Sequence, residues 1–170
     1  MKINGEDYKI WENDKFIVEC SIDLILWDKK IIENFQENLY KILDLICEKS
    51  DIIFPSIKKS ISLSFSGDKK IIELNNRYRN LNSATNVLSF PSYLKSRDEL
   101  FLGDIIFSNE TINKEATRDK KNINNHLIHL FIHGVLHLLG YDHKNVSEAE
   151  KMEALEIEIL NNFQIDNPYK

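Results

Sequence analysis

The sequence predicts an α/β (α+β) fold: one compact domain over residues 1–170, with a small mixed four-stranded sheet packed by about five helices and a metal site at the end of a buried helix. Three observations carry this expectation. Strand-like and helix-like runs alternate through residue 108, and helices alone follow. The 170 residues are 42% hydrophobic and 29% charged, enough to build one core without covalent staples. All five histidines fall between residues 126 and 143, four of them on the most apolar of the expected helices and the fifth just past its end.

KFIVECSI, residues 15–22, reads as the first strand. Ile31, Ile32, Phe35, Leu39, Ile42, Leu43 and Ile46 then recur at helical spacing over residues 30–48. SISLSFS at 60–66 alternates serine with Ile61, Leu63 and Phe65, the period of a strand with one buried face. Ser66-Gly67-Asp68 supplies a turn and a cap for a helix over about 69–80, which buries Ile71, Leu74 and Tyr78. TNVLSF at 85–90 is a third strand ended by Pro91, and DIIFS at 104–108 is a fourth after a polar loop. Helices follow at about 109–120, 123–139 and 147–163. The last is capped by Ser147 and Glu150 in an S-x-x-E arrangement, with Met152, Leu155, Ile159 and Phe163 on one side.

Twenty-two Lys and Arg against 27 Asp and Glu give a net charge of -5, which excludes a protein that coats nucleic acid by bulk charge. Cys20 and Cys47 read as small buried hydrophobes of a reducing compartment. The N-terminal stretch MKINGEDYKIWENDK has no apolar segment of the secretory type, and the later apolar runs are broken by histidine. The expectation is a cytoplasmic protein without a membrane partner.

At about 100° per residue, His126, His129, His133 and His137 lie within about 80° of one another on a helix surface. Gly140 is suited to the left-handed conformation that ends helices, so the chain can turn and bring His143 back over the stripe. Two imidazoles one turn apart and a third from the following turn make a three-histidine metal site, for Zn²⁺, with a coordination position left open. His126 and His129 read as helix surface or as support for the ligands. Asp142 either orients a ligand imidazole or stabilises the turn. The spacing H-x-x-x-H-x-x-G-x-x-H matches the zinc signature H-E-x-x-H-x-x-G-x-x-H of one metalloprotease class except at Gly134. That class carries its general base there, so glycine removes the base and leaves an expected space beside the metal.

HGVLHLLGYDH, residues 133–143, resembles the signature of the YbeY family, metal-dependent endoribonucleases implicated in ribosomal RNA maturation. LNNRYRNLNSATNVLSFP at 74–91, LGDI at 102–105 and MEALEIEIL at 152–160 are similar to other blocks of that family, in the same order. The resemblance covers about residues 57–165; the N-terminal part matches in general character only. It implies a compact fold with a small mixed sheet, one zinc per chain on His133, His137 and His143, and a catalytic role for Arg79. It also implies RNA as partner, the ribosomal RNA of the small subunit, cut near its 3′ end where single-stranded, together with a part in ribosome quality control; DNA is not expected. The turn after Arg79, NLNSA, is less basic than the lysine-containing turn common in the family.

On composition alone Arg79 is a helix-end cation placed where the helix dipole favours it. The resemblance makes it the group that clamps a phosphate beside the metal. Two other readings share these residues. A metallohydrolase of another substrate class has the same histidine spacing, although Gly134 argues against a protease. A non-catalytic ribosome-assembly factor would use the metal as a structural staple, but structural zinc sites fill all four positions with protein ligands, and no fourth is evident nearby.

Overall fold

In the computed structural model, which describes the backbone of residues 2–3 and all of residues 5–170, alternating side chains decide which face of each strand is buried. Strands β1 (Lys2–Ile3), β2 (Glu6–Glu12), β3 (Phe16–Asp23), β4 (Lys58–Ser66), β5 (Val87–Lys95) and β6 (Glu99–Ser108) form one sheet in the order β1-β2-β3-β4-β6-β5. β3, β4 and β6 are mutually parallel neighbours, and the other pairings are antiparallel. Helices α1 (Lys29–Lys49), α2 (Asp68–Arg79), α3 (Asn109–Arg118), α4 (Ile123–Leu138) and α5 (Val146–Asn161) complete the described chain.

One face of the sheet presents Phe16, Val18, Ile22, Ile61, Leu63, Phe65, Ile105 and Phe107 to α1, α4 and α5. Phe35 of α1 and Phe131 of α4 meet edge to face at 5.0 Å in the middle of this layer, the preferred geometry for two ring quadrupoles. α4 is apolar on nearly every side because it lies in the interior, packed against β5 and β6 and against helices α1, α3 and α5. The opposite face carries a smaller cluster in which Ile71 of α2 covers Leu88 and Ile106.

The mixed sheet and five helices are as expected, but among the described residues the sheet has six strands rather than four. β2 escapes the period-2 reading because it lies near the sheet edge, where Tyr8 and Ile10 stay 47% and 66% exposed and only Trp11 is buried. Pro91 does not end β5. The strand continues to Lys95 with a register shift between Pro91 and Leu94, which an outermost strand tolerates because a missing N–H there breaks no internal ladder. Tyr78 remains 59% exposed at the end of α2; its ring packs 5.3 Å from Phe90, and Asn75 takes the buried position instead.

Two helix caps also differ. Asn145, not Ser147, caps α5 by accepting from the backbone N–H of Glu148. The cap residue of α2 is Gly67, so the side-chain acceptor comes from outside: Glu110, in the first turn of α3, accepts from the Asp68 N–H at 3.0 Å.

Candidate metal centre

The end of α4 is built by its own backbone. Gly140 has φ +88°, its N–H bonds the His137 carbonyl at 3.0 Å, and the Tyr141 N–H bonds the Leu136 carbonyl at 3.0 Å. This is the Schellman closure, in which a left-handed residue returns the chain over the last turn. It has a chemical consequence. The Tyr141 carbonyl is left facing His137, whose Nδ1–H donates to it at 3.0 Å. The chain then continues through Asp142, which accepts from the His143 N–H at 2.8 Å and pairs with Lys144 at 2.7 Å. Asp142 thus closes the turn rather than orienting a ligand ring, and Lys144 holds its carboxyl below the ordinary range.

This turn brings His133, His137 and His143 together. One ring nitrogen of each lies within 4.8 Å of the others, and the ring centroids are 4.5, 5.8 and 5.1 Å apart. The donor set fits a cation for a specific reason. His133 Nδ1 faces the Glu156 carboxylate at 2.7 Å and His137 Nδ1 faces a carbonyl, and both partners only accept. Each Nδ1 therefore carries the hydrogen, and the two Nε2 lone pairs point at each other across 3.0 Å. Two lone pairs gain nothing from that approach, whereas a cation between them satisfies both. Burial, and then the neighbouring His133, push the His137 imidazole below its ordinary value and keep it in the ligating, neutral form.

Glu156, unremarked in the sequence, is wholly buried and joins the stripe. Oε1 accepts from His133, and Oε2 accepts from His129 Nε2 at 3.0 Å and from the Tyr169 hydroxyl. Burial favours its protonated form, but hydrogen bonds from His129, His133 and Tyr169 prevail and hold the carboxyl down to about 2. Its signal was its position: four residues after Met152 and three before Ile159, it occupies the apolar face of α5. His126, at the start of α4, pairs with Glu115 at 2.8 Å, and Asn86 donates to the same carboxylate at 2.9 Å. His126 and His129 thus stand apart from the converging trio.

Gly134 is explained by packing, not by open space. A Cβ there would meet Ser89 Oγ at 3.1 Å and two Ile105 carbons at 3.2 Å, so the missing side chain is where β5 and β6 press against α4. The open volume is a cleft of about 730 Å³ lined by Arg79, Asn86, Ser89, His133, His137 and His143, with Lys144 at its edge. Arg79 is the last residue of α2, followed by Asn80 in the left-handed conformation at φ 56°. It is exposed and forms no ion pair among the described residues. Asn75 pins the loop beyond it by donating to the Ser83 carbonyl at 2.8 Å. No helix among the described residues is long and apolar enough to cross a membrane.

Comparison with known proteins extends the likeness beyond the motifs. Endoribonuclease YbeY of Bartonella bacilliformis is 42% identical over 147 residues, covering 81% of this chain and 93% of its own. Endoribonuclease YbeY of Rhizobium etli is 44% identical over 120 residues, covering 69% and 70%. A solution structure from Thermotoga maritima aligns with 85% of this chain and 95% of its own, at 25% identity and a TM-score of 0.47. The model of the family described as Endoribonuclease YbeY matches residues 22–164, so its likeness begins in β3, well before the motif blocks, and the chain belongs to that family.

Proposed function

We propose that this endoribonuclease is zinc-dependent, specific for single strands, and acts in the cytoplasm on the ribosomal RNA of the small subunit, in 3′-end maturation and ribosome quality control, with residues 1–170 as one catalytic domain. The observation that carries this reading is the convergence of His133, His137 and His143 on one cleft with an unpaired arginine at its rim. When bound, the metal would supply Lewis acidity toward a water or a phosphoryl oxygen.

The chain's own residues do the rest. His133, His137 and His143 hold the cation; the Tyr141 carbonyl and Glu156 keep the first two in the ligating tautomer. Arg79 offers a planar fork of donors to two non-bridging phosphate oxygens, which lose their water shell in the cleft and gain charge as the bond breaks. Lys144, also at the cleft, is balanced by its pairing with Asp142 at 2.7 Å, which leaves Arg79 as the cation that meets the RNA backbone. Because the whole chain is net negative, RNA contact is concentrated in this local patch. Single strands suit such a site, since a scissile phosphate in an A-form helix is less free to enter a cleft.

The test is the zinc content of untagged protein beside His137→Ala, followed by incubation of both with small-subunit precursor RNA and with a duplex control. About one zinc per chain in the parent, none in a folded variant, and cutting of single strands by the parent alone are expected. A parent that takes up no zinc, or a variant that cuts equally well, overturns the reading.

A further inference from the structure

We infer that Glu156 is a positioning residue for the metal and that Tyr169, near the C-terminal end, sets how firmly it acts; the inference rests on the metal reading above. Glu156 lies between Met152, Leu155, Ile159 and Leu160, all buried, and is itself 0% exposed. Helix packing alone would place an aliphatic side chain there. A wholly buried carboxylate persists only where partners replace the water it has lost.

Its two oxygens have separate tasks. Oε1 accepts from His133 Nδ1 at 2.7 Å, which fixes the hydrogen on that nitrogen and presents the Nε2 lone pair to the cleft. Oε2 accepts from His129 Nε2 at 3.0 Å and from the Tyr169 hydroxyl, so the carboxylate cannot rotate away from His133. Tyr169 is itself set in place: Asn167 Oδ1 accepts from its N–H at 2.8 Å, and its ring meets His129 edge-on, 5.8 Å between centroids.

The three converging histidines are therefore unequal. His137 leans on a neutral carbonyl, and no acceptor for a His143 ring nitrogen is found among the described residues. Of the three, His133 has the anionic partner, which fixes its ring and places a negative charge close to where the cation would lie. A single deep carboxylate thus governs one ligand, and a tyrosine more than ten residues further along the chain governs the carboxylate.

The experiment uses full-length protein with Tyr169→Phe, Glu156→Gln and Glu156→Met, and three readouts: imidazole nitrogen-15 shifts without metal, zinc affinity by chelator competition, and melting of the metal-free form. In the parent, His133 should carry its hydrogen on Nδ1. Glu156→Gln keeps an oxygen to accept it but removes the charge, and should weaken zinc binding about 10- to 100-fold. Glu156→Met, where it folds, should also lose the tautomer. Tyr169→Phe should keep the tautomer and weaken zinc by a smaller factor. Equal zinc affinity in the parent and Glu156→Gln, with only melting changed, makes the carboxylate merely structural and overturns the inference while sparing the metal reading. A parent that binds no zinc overturns both.

Discussion

The two ends of α4 carry the same side chain to different tasks. At its start His126, 6% exposed, and His129, with a 14% exposed side chain, each turn Nε2 to a carboxylate, Glu115 or Glu156, while their Nδ1 atoms stay buried without a partner. At its end His133 and His137 engage Nδ1 instead and leave Nε2 facing an open cleft. All four lie on one stripe. Which nitrogen is tied down, and to what, separates a histidine that holds the fold from one that can hold an ion.

The largest effects should divide along that line. His137→Ala should release the metal and abolish cleavage while circular dichroism stays native. His126→Ala should retain the metal but lose about 1–3 kcal/mol in urea unfolding, because Glu115 and Asn86 lose the partner that completes their network. Metal loss in His126→Ala would break the comparison. Arg79→Ala belongs with the cleft end: cleavage should vanish, whereas stability should stay within about 0.5 kcal/mol, since the side chain is exposed and unpaired. Arg79→Lys should recover only part of the rate, because an ammonium cannot fork across two oxygens.

The cleft end was legible in the sequence because its geometry is local. Histidines four apart, with a glycine three residues on and another histidine three beyond it, lie on one helix and the turn that ends it, and helical periodicity suffices to bring them together. Arg79 came from the resemblance, since nothing in its own neighbourhood separates it from Arg77. Glu156 was missed because its histidine partners are 23 and 27 residues away, and pairing between helices depends on how α5 docks on α4. Gly134 was read as space because periodicity fixes which residues share a face, not what packs against them. β2 and the continuation of β5 past Pro91 were lost for another reason. Strands near or at a sheet edge keep apolar residues exposed and tolerate proline, so they show no clean alternation.

Gly134 lies between the two ends of α4 and sharpens the comparison at a smaller scale. Gly134→Ala would drive a Cβ against Ser89 and Ile105, and should cost about 1–3 kcal/mol by urea unfolding. Because β5 carries Ser89 along the cleft wall, and Asn86 immediately precedes the strand there, the strain should reach the cleft, lowering the cleavage rate without changing metal content. A variant as stable as the parent would mean that α4 and β5 can separate freely, and that the close approach does not position the cleft.

The smallest effect is an acid sensitivity set by the buried end. Burial pushes the His126 imidazole below its ordinary value of 6.5, and Glu115 only partly opposes it. The folded chain therefore refuses a proton that the unfolded chain accepts, so stability is full above 6.5 and falls as pH drops through the lower folded value. Glu156 adds a second loss further down: with its carboxyl held at about 2 against an ordinary 4.5, its contribution is present above 4.5 and disappears as pH falls toward 2. Urea midpoints of metal-free protein measured from pH 7 to pH 3 should decline in two stages. His126→Gln should shrink the upper stage without removing it, because burial also lowers His137, and Glu156→Gln should flatten the lower stage. A His126→Gln profile parallel to the parent's would assign the upper stage to the cleft histidines, and the buried end of α4 would then contribute packing but no proton-linked stability.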